Sequence, residues 1–546
     1  MSQLNLKKNI PMTWLLPAAM LSLALLLPVR AHAAAPGITG GTGGTATFNL
    51  TAQPAYLNQP DGSTVYSWGY GCNGAPAGYA PAAIKNTSCP SMQIPGPTLI
   101  VTEGQTVVVN LTNNLPTPAG NTSILFPGFL VTSTAAATQP STACTPTTAT
   151  SQGLLTTEAA NGCTVTYTFV ASSPGTRAYY SGTQGDLQVE MGLYGAVIVL
   201  PASVPGNCST GLAASNLAAE AHWGESDFRL ADSAYDHPKT CYDREYLFQF
   251  SEIDANIHKQ ALAQVTALGA CTPGNLGCSL AVPTEPYHPT YFMINGRSMP
   301  DDMDPNYAVE YPHQPYNGNP HMHPGEQVLL RVIGQGRWQH PFHEHANHVR
   351  ILARDGNLIT SAGDPTSLGG LLMFTTTTTP GQAFDGLFYF TGRGLNWDMY
   401  GHNPASTDQL AVLPCTPDAN GYNTGAPTAI NYYEWCQDHN KPLQVAPFGD
   451  VATGGPATLP DPDIFTNGVW YSGSPYLGPD ATTRATGPNS SFLPANAQGN
   501  PANERGWAFM WHSHNEREIT TNNVFPGGML MMMLVDSREF VIDEQN

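Results

Sequence analysis

Trp338–Gly356 reads WQHPFHEHANHVRILARDG, which places His340, His343, His345 and His348 beside a run of Val, Ile and Leu. In an extended strand successive side chains point to opposite faces, so His343 and His345 are expected on one side. Two imidazoles on one rigid face can act as a pair of metal ligands. A second pair with the same spacing, His512 and His514, stands in WAFMWHSH near the C-terminus. Two such strands side by side would bring four imidazoles to one point.

Outward from these stretches the chain reads as all-β. TATFNLTAQ, STVYSWGYG and IPGPTLIVTEGQTVVVNLTNNL open it, the last reading as a hairpin around Glu103-Gly104. CTVTYTFV and YGAVIVL read as a further strand pair that closes this region near Pro201. EYLFQFSEIDANI, TYFMINGR and PGEQVLLRVIG lead into the histidine strand, and TTTTTPGQAFDGLFYF follows it, with Thr375–Thr379 as a strand entry. Residues 393–505 are rich in Gly, Pro, Asn and Asp and read as a long insertion, after which GWAFMWHSH and GGMLMMMLVD resume the strands. LAASNLAAEAHW and ANIHKQALAQVTAL are the helix candidates.

The N-terminus has the form of an export signal. Lys7 and Lys8 precede an uncharged apolar run from Trp14 to Val29, and Ala31-His32-Ala33 supplies a small-x-small cleavage site. The run is short for a membrane span, and no later stretch is long and apolar enough to serve as one. Loss of residues 1–33 removes Lys7, Lys8 and Arg30 and takes the formal charge from −20 to −23. Such a surface repels nucleic acid and anionic membranes and concentrates cations. With 41% hydrophobic residues the chain can fill a core, so it is not a disordered polyanion. All ten cysteines follow the leader, none in a CxxC pattern, and an even count in an exported chain points to disulfides, most simply between neighbours. No GxSxG, HExxH or phosphate-binding glycine loop is present.

Several of these segments together resemble the multicopper oxidases, the cupredoxin-fold family that contains the laccases. IPGPTLIVTEGQTVVVNLTNNLP resembles the family's opening and GTRAYYSGTQGDLQVEMGLYGAVIVLP the end of its first domain. FMINGR, HPGEQVLLRVIG, HPFHEHANHVRILARDG and WHSHNEREITTNNVFPGGM resemble the copper-ligand segments of a later domain. The departures are as informative. The family's first-domain His-Trp-His-Gly falls on Leu125-Phe126-Pro127-Gly128 and its His-Ser-His on Tyr180-Ser181-Gly182, so those histidines are gone. Ser513 stands where the blue-copper cysteine is expected, and the histidine that should follow falls near Glu518.

A blue copper centre needs a thiolate, which a serine hydroxyl cannot replace. The family's trinuclear cluster uses eight histidines, of which four matching positions survive, and a homo-oligomer cannot restore residues missing from every copy. Laccase-type four-electron reduction of oxygen is therefore not expected. The resemblance implies a mononuclear copper site, with zinc the less favoured metal, held by His343, His345, His512 and His514. Additional candidates are His340 at the blue-copper histidine position, His348, Met529 as a displaced axial ligand, and the pair His321 and His323 in NPHMHPGEQ. Pro320 and Pro324 favour an exposed loop for that pair. Glu344 should face away from the metal, and Tyr179 and Tyr180 should pack in the core. Met529 to Met533 reads as a buried strand.

The expectation is an all-β protein of tandem cupredoxin-like Greek-key domains: a signal at 1–33, a flexible leader at 34–45, domains at 46–203 and 204–546, and an insertion at about 393–505. Three domains is the alternative. The function expected is that of an exported copper-binding oxidoreductase acting on a small redox substrate, in the periplasm, at the cell surface or outside the cell. Non-catalytic copper storage or delivery is the alternative.

Overall fold

The computed structural model describes residues 35–543 apart from 137–138, 141–143, 145–149, 276, 394–412, 438–472 and 477–505. The expected signal and most of the expected insertion lie outside the described residues.

Eight principal strands form the N-terminal half: β1 Gly37–Thr39, β2 Thr45–Asn58, β3 Thr64–Cys72, β4 Leu99–Thr102, β5 Thr106–Asn113, β6 Thr164–Val170, β7 Gly175–Tyr180 and β8 Tyr194–Leu200. One sheet runs β7-β8-β4-β1 and the other β3-β2-β5-β6, each extended by short strands. Phe48, Val109, Tyr167 and Phe169 from the second sheet share one core with Leu99, Val101, Val197 and Val199 from the first.

Two sequence expectations are corrected here. β4 and β5 do not form a hairpin, because β4 pairs with β1 and β8 while β5 pairs with β2 and β6. The Glu103-Gly104 turn, with Gly104 at φ +85°, carries the chain from one sheet to the other. β6 and β8 are divided between the sheets in the same way. An apolar alternation fixes which face is buried but not which strand is the neighbour. The segment expected to be a flexible leader instead contains β1, whose Ile38 is buried and pairs in parallel with Leu99.

The C-terminal half contributes β9 Arg244–Ile253, β10 Tyr291–Ile294, β11 His321–Met322, β12 Gln327–Gly334, β13 His340–Glu344, β14 Val349–Arg354, β15 Thr375–Thr378, β16 Ala383–Tyr389, β17 Gly506–Ser513 and β18 Leu530–Asp536. Its sheets run β10-β9-β12-β16-β14 and β11-β18-β17-β13-β15. Between them Phe248, Phe342, Phe388 and Trp511 pack with Met529, Met531 and Met533. These methionines alternate on one face, as a buried strand of period two requires. Each large apolar side chain so buried is worth about 1.5–3 kcal/mol of transfer free energy.

Ile100, Ala178, Ala196 and Ile198 of the first half meet Leu247, Ile333 and Ala383 of the second, so the two sandwiches touch through the outer faces of one sheet each. The two longer helices fall where expected, α1 at Gly211–Trp223 and α2 at Ala255–Leu268, while the sequence patterning does not anticipate a single helical turn at Gly185–Gln188. Five disulfides join neighbouring cysteines: 72–89, 144–163, 208–241, 271–278 and 415–436. Among the described residues no helix is long and apolar enough to cross a membrane.

Candidate metal centre

The opening stretch is not one strand. β13 lies in one sheet and β14 in the other, and His345 to His348 make the crossing. β13 pairs antiparallel with β17 so that His343 stands directly opposite His512. Directly opposed residues on such a ladder have Cβ atoms about 4.5–5.5 Å apart, close enough to share a ligand. His345 and His514 each leave the end of a strand, since β13 stops at Glu344 and β17 at Ser513. The same-face alternation expected for each pair therefore gives way to a strand residue plus a residue in the following bend. Ala346, at φ +85°, turns the chain just after His345. That conformation costs a side-chain-bearing residue on the order of 1 kcal/mol or more. The indole Nε1 of buried Trp511 donates to His345 O at 3.1 Å and helps to hold the bend.

His343, His345 and His512 are buried, and one ring nitrogen from each lies within 4.8 Å of the others. Nε2 of His345 and Nε2 of His512 are 3.3 Å apart. Two imidazole nitrogens bound to one metal at about 2.0–2.1 Å with a tetrahedral angle are separated by about 3.3–3.4 Å, so this pair has the spacing of co-ligands. His514 is exposed at the rim, its ring centroid 4.9 Å from that of His343 and 5.4 Å from that of His512.

Two of the rings, His343 and His512, are prepared as neutral ligands. Burial, and then the neighbouring His512 and His514, lower the His343 pKa to about 4. Burial also lowers that of His512. His512 Nδ1 donates to Ser513 O at 2.7 Å, which leaves the Nε2 lone pair available. Nδ1 of His343 lies 2.6 Å from Thr375 Oγ1, a contact that orients this ring in the same manner. Glu344 faces away as expected, into the protein beside Thr376, and burial pushes its carboxyl well above the usual range.

The remaining candidates lie elsewhere. His340 Nε2 is 3.0 Å from Glu252 Oε2 and Nδ1 is 2.9 Å from Glu518 Oε2. With both nitrogens facing carboxylates the ring is an imidazolium, and its pKa is raised to about 9 against the opposing effect of burial. It has no lone pair for a metal. Ser513 Oγ donates to the same Glu518 oxygen, and the Met529 backbone bonds to both Ser513 and Glu518. The positions that match the family's blue-copper ligands are thus adjacent, but a charged hydrogen-bonded cluster fills them. Met529 is part of the apolar core.

His348 packs against Phe374 with ring centroids 4.9 Å apart and stays outside the three-histidine group. His321 and His323 correct the loop expectation. Both are buried, His321 in β11, with His323 Nε2 2.7 Å from Glu225 Oε1 and Nδ1 2.9 Å from Asp536 O. The carboxylates and arginines around them, including Arg244, Glu326 and Arg538, tie this region into a buried charged network. Leu125 and Tyr180 bridge each other by Leu125 N to Tyr180 O at 2.8 Å. The two vacated histidine motifs are therefore neighbours in space. Tyr179 is fully buried and donates to Pro97 O at 2.8 Å.

Sequence reasoning missed Thr375, Trp511 and Glu252. Only the Thr run adjoining the histidine stretch offered a signal; Trp511 read as core, and Glu252 lies 88 residues from His340.

With the site in view, comparison with other proteins adds the following. Residues 84–203 match the family model described as multicopper oxidase. They carry a multicopper-oxidase domain, a divergent one because the motif histidines are absent from it. The fold class expected from the sequence, tandem cupredoxin-like β-sandwiches, holds. Curated proteins gave no match. Among solved structures the chain is similar to a multicopper oxidase, mgLAC, at 14% identity over 90% of this chain and 86% of that one, with a TM-score of 0.40. It is similar to the blue copper oxidase of Nitrosomonas europaea at 14% identity over 90% and 85%, with a TM-score of 0.41. The copper nitrite reductase of the same organism gives 18% identity over 63% and 84%, with a TM-score of 0.35. Similarity at these levels assigns no chemistry, which has to come from the chain's own residues.

Proposed function

We propose that this is an exported copper protein in which His343, His345, His512 and His514 hold a single copper ion, and that it acts as an oxidoreductase on a small substrate. The observation that carries the reading is that one ring nitrogen from each of three buried histidines lies within 4.8 Å of the others, two of them opposed on paired strands and the third in the adjoining bend. Imidazole suits copper, zinc, iron and nickel, and the Irving–Williams order places copper above the other three. Copper bound there supplies one-electron redox chemistry. Ser513 O and Thr375 orient the rings, and exposed His514 marks the side from which solvent or a small molecule approaches. The multicopper-oxidase domain supports copper, and five disulfides support export.

The second reading is copper storage or delivery without turnover. Replacement of the thiolate position by Ser513, which removes the usual electron entry route, favours it.

The deciding experiment is metal content and copper EPR on the purified mature protein beside His345→Ala and His512→Ala. About one copper per chain, without strong thiolate absorption and lost in both variants, supports the site. Failure to take up copper on reconstitution rejects it. Turnover of reducing substrates with oxygen or an external acceptor then separates oxidoreductase from carrier.

A further inference from the structure

A cleft of about 830 Å³ opens on the C-terminal half, beside α1 and the strands β14 and β16. Its volume falls in the range of about 300–1,000 Å³ that holds small organic ligands. Leu368, Leu372, Leu387 and Tyr389 supply an apolar lining. Leu372 is 56% exposed and Tyr389 37%, so part of this apolar lining is open to solvent.

The polar part of the lining runs against the character of the chain. The protein has 20 Lys and Arg against 40 Asp and Glu, yet Lys239, Arg350 and His348 converge on this cleft with one acid, Asp243. Among the described residues neither Lys239 nor Arg350 forms a salt bridge. The Lys239 ammonium is 3.5 Å from Ser367 Oγ, and Arg350 Nη1 donates to Gly370 O at 2.8 Å. Lys239 is partly offset by Asp364, whose carboxyl it helps to hold below the usual range and which Ser367 Oγ also bonds, whereas Arg350 meets no carboxylate among the described residues. Asp243 opposes them weakly, because burial and the adjacent Glu326 raise its pKa to about 7. Its Oδ2 is taken up by Gln327 N and Asn216 Nδ2.

The cleft also adjoins the histidine site. His348, on its wall, stacks edge-to-face on Phe374 at 4.9 Å, and Phe374 stacks on His343 at 5.9 Å. One aromatic ring separates the two.

We propose that this cleft binds a small organic anion, an aromatic or similarly sized apolar body bearing a carboxylate. Lys239 and Arg350 take the carboxylate, and the leucines and Tyr389 take the body. Binding needs no metal; a role as substrate of the copper site rests on the function proposed above.

The test is a charge series of one shape, 1-naphthoate, 1-naphthalenemethanol and 1-naphthylmethylamine, titrated by calorimetry into the copper-free protein. The expected result is saturable 1:1 binding of naphthoate, at least tenfold tighter than the amine. A Lys239→Gln/Arg350→Gln double variant should weaken naphthoate at least fivefold and leave the alcohol unchanged. His345→Ala should bind naphthoate as the parent does, so that loss of copper and loss of the anion site register separately. Equal affinity for amine and naphthoate, an unaltered double variant, or no binding at millimolar concentration would overturn the proposal. The comparison of the three probes on the parent protein needs no variant to fold.

Discussion

Nε2 of His345 and Nε2 of His512 stand 3.3 Å apart, on two segments that the sequence separates by 167 residues. Two imidazole nitrogens at this distance share one proton or accept one metal. Metal uptake should therefore stabilise the fold by linkage. Free copper or zinc at about 100 times its Kd should contribute about 2.7 kcal/mol. Thermal melts with and without metal should show the increase in the parent protein and none in His345→Ala or His512→Ala.

Ser513→Cys alone should not produce a blue copper centre. The thiol would face Glu518 and the His340 imidazolium, neither of which is a suitable partner ligand. The double variant Ser513→Cys/Glu518→His removes the carboxylate that holds His340 Nδ1 and supplies a second imidazole. Strong thiolate-to-copper absorption is expected only in the double variant. Its appearance in Ser513→Cys would show that His340 is not locked.

The His340 clamp should give the fold a pH dependence on the alkaline side. The ring's pKa rises from 6.5 to about 9 on folding. Its stabilising contribution is complete below about 6.5 and is lost as pH rises through 9. The loss amounts to roughly 3 kcal/mol. Urea midpoints between pH 6 and 10 should fall across that window in the parent. His340→Gln should be less stable at pH 6.5, with two carboxylates left facing an uncharged partner, and should lack most of the slope.

Trp511 has two functions that one substitution can separate. Its ring packs on Phe342 and Phe388, and its Nε1 holds His345 O. Trp511→Phe should cost about 1–3 kcal/mol in stability through lost packing and one hydrogen bond. It should also weaken copper binding three- to tenfold by releasing the His345 bend. Trp68→Phe, in the other sandwich, removes an indole bonded to Tyr66 OH and should cost similar stability with no effect on copper.

Legibility from sequence divides by the range of the interaction. Period-two patterning identified the strands and the Met529–Met533 face, and helical periodicity the two longer helices, because these depend on neighbours a few residues away. It failed at Glu103-Gly104, where a turn between two apolar runs resembles a hairpin but crosses to the other sheet. β1 was read as leader because its Gly-rich surroundings concealed a strand three residues long. The histidine pairs were visible by spacing. Their members in the bends, His345 and His514, were grouped with His343 and His512 for an incomplete reason, since neither continues its strand.

The sequence by itself determined the residue types: four imidazoles in two pairs, no thiolate between the second pair, and no histidines at the first-domain motifs. Those are covalent facts, and they limit the chemistry whatever the fold. Only the tertiary structure decided which imidazoles meet. The β13–β17 ladder sets His343 opposite His512, the crossing between sheets brings in His345, and Glu252 and Glu518 draw His340 away as a buried cation. Ligation and ion pairing act over a few ångströms, and distances of that order between remote residues exist only once the sheets have paired.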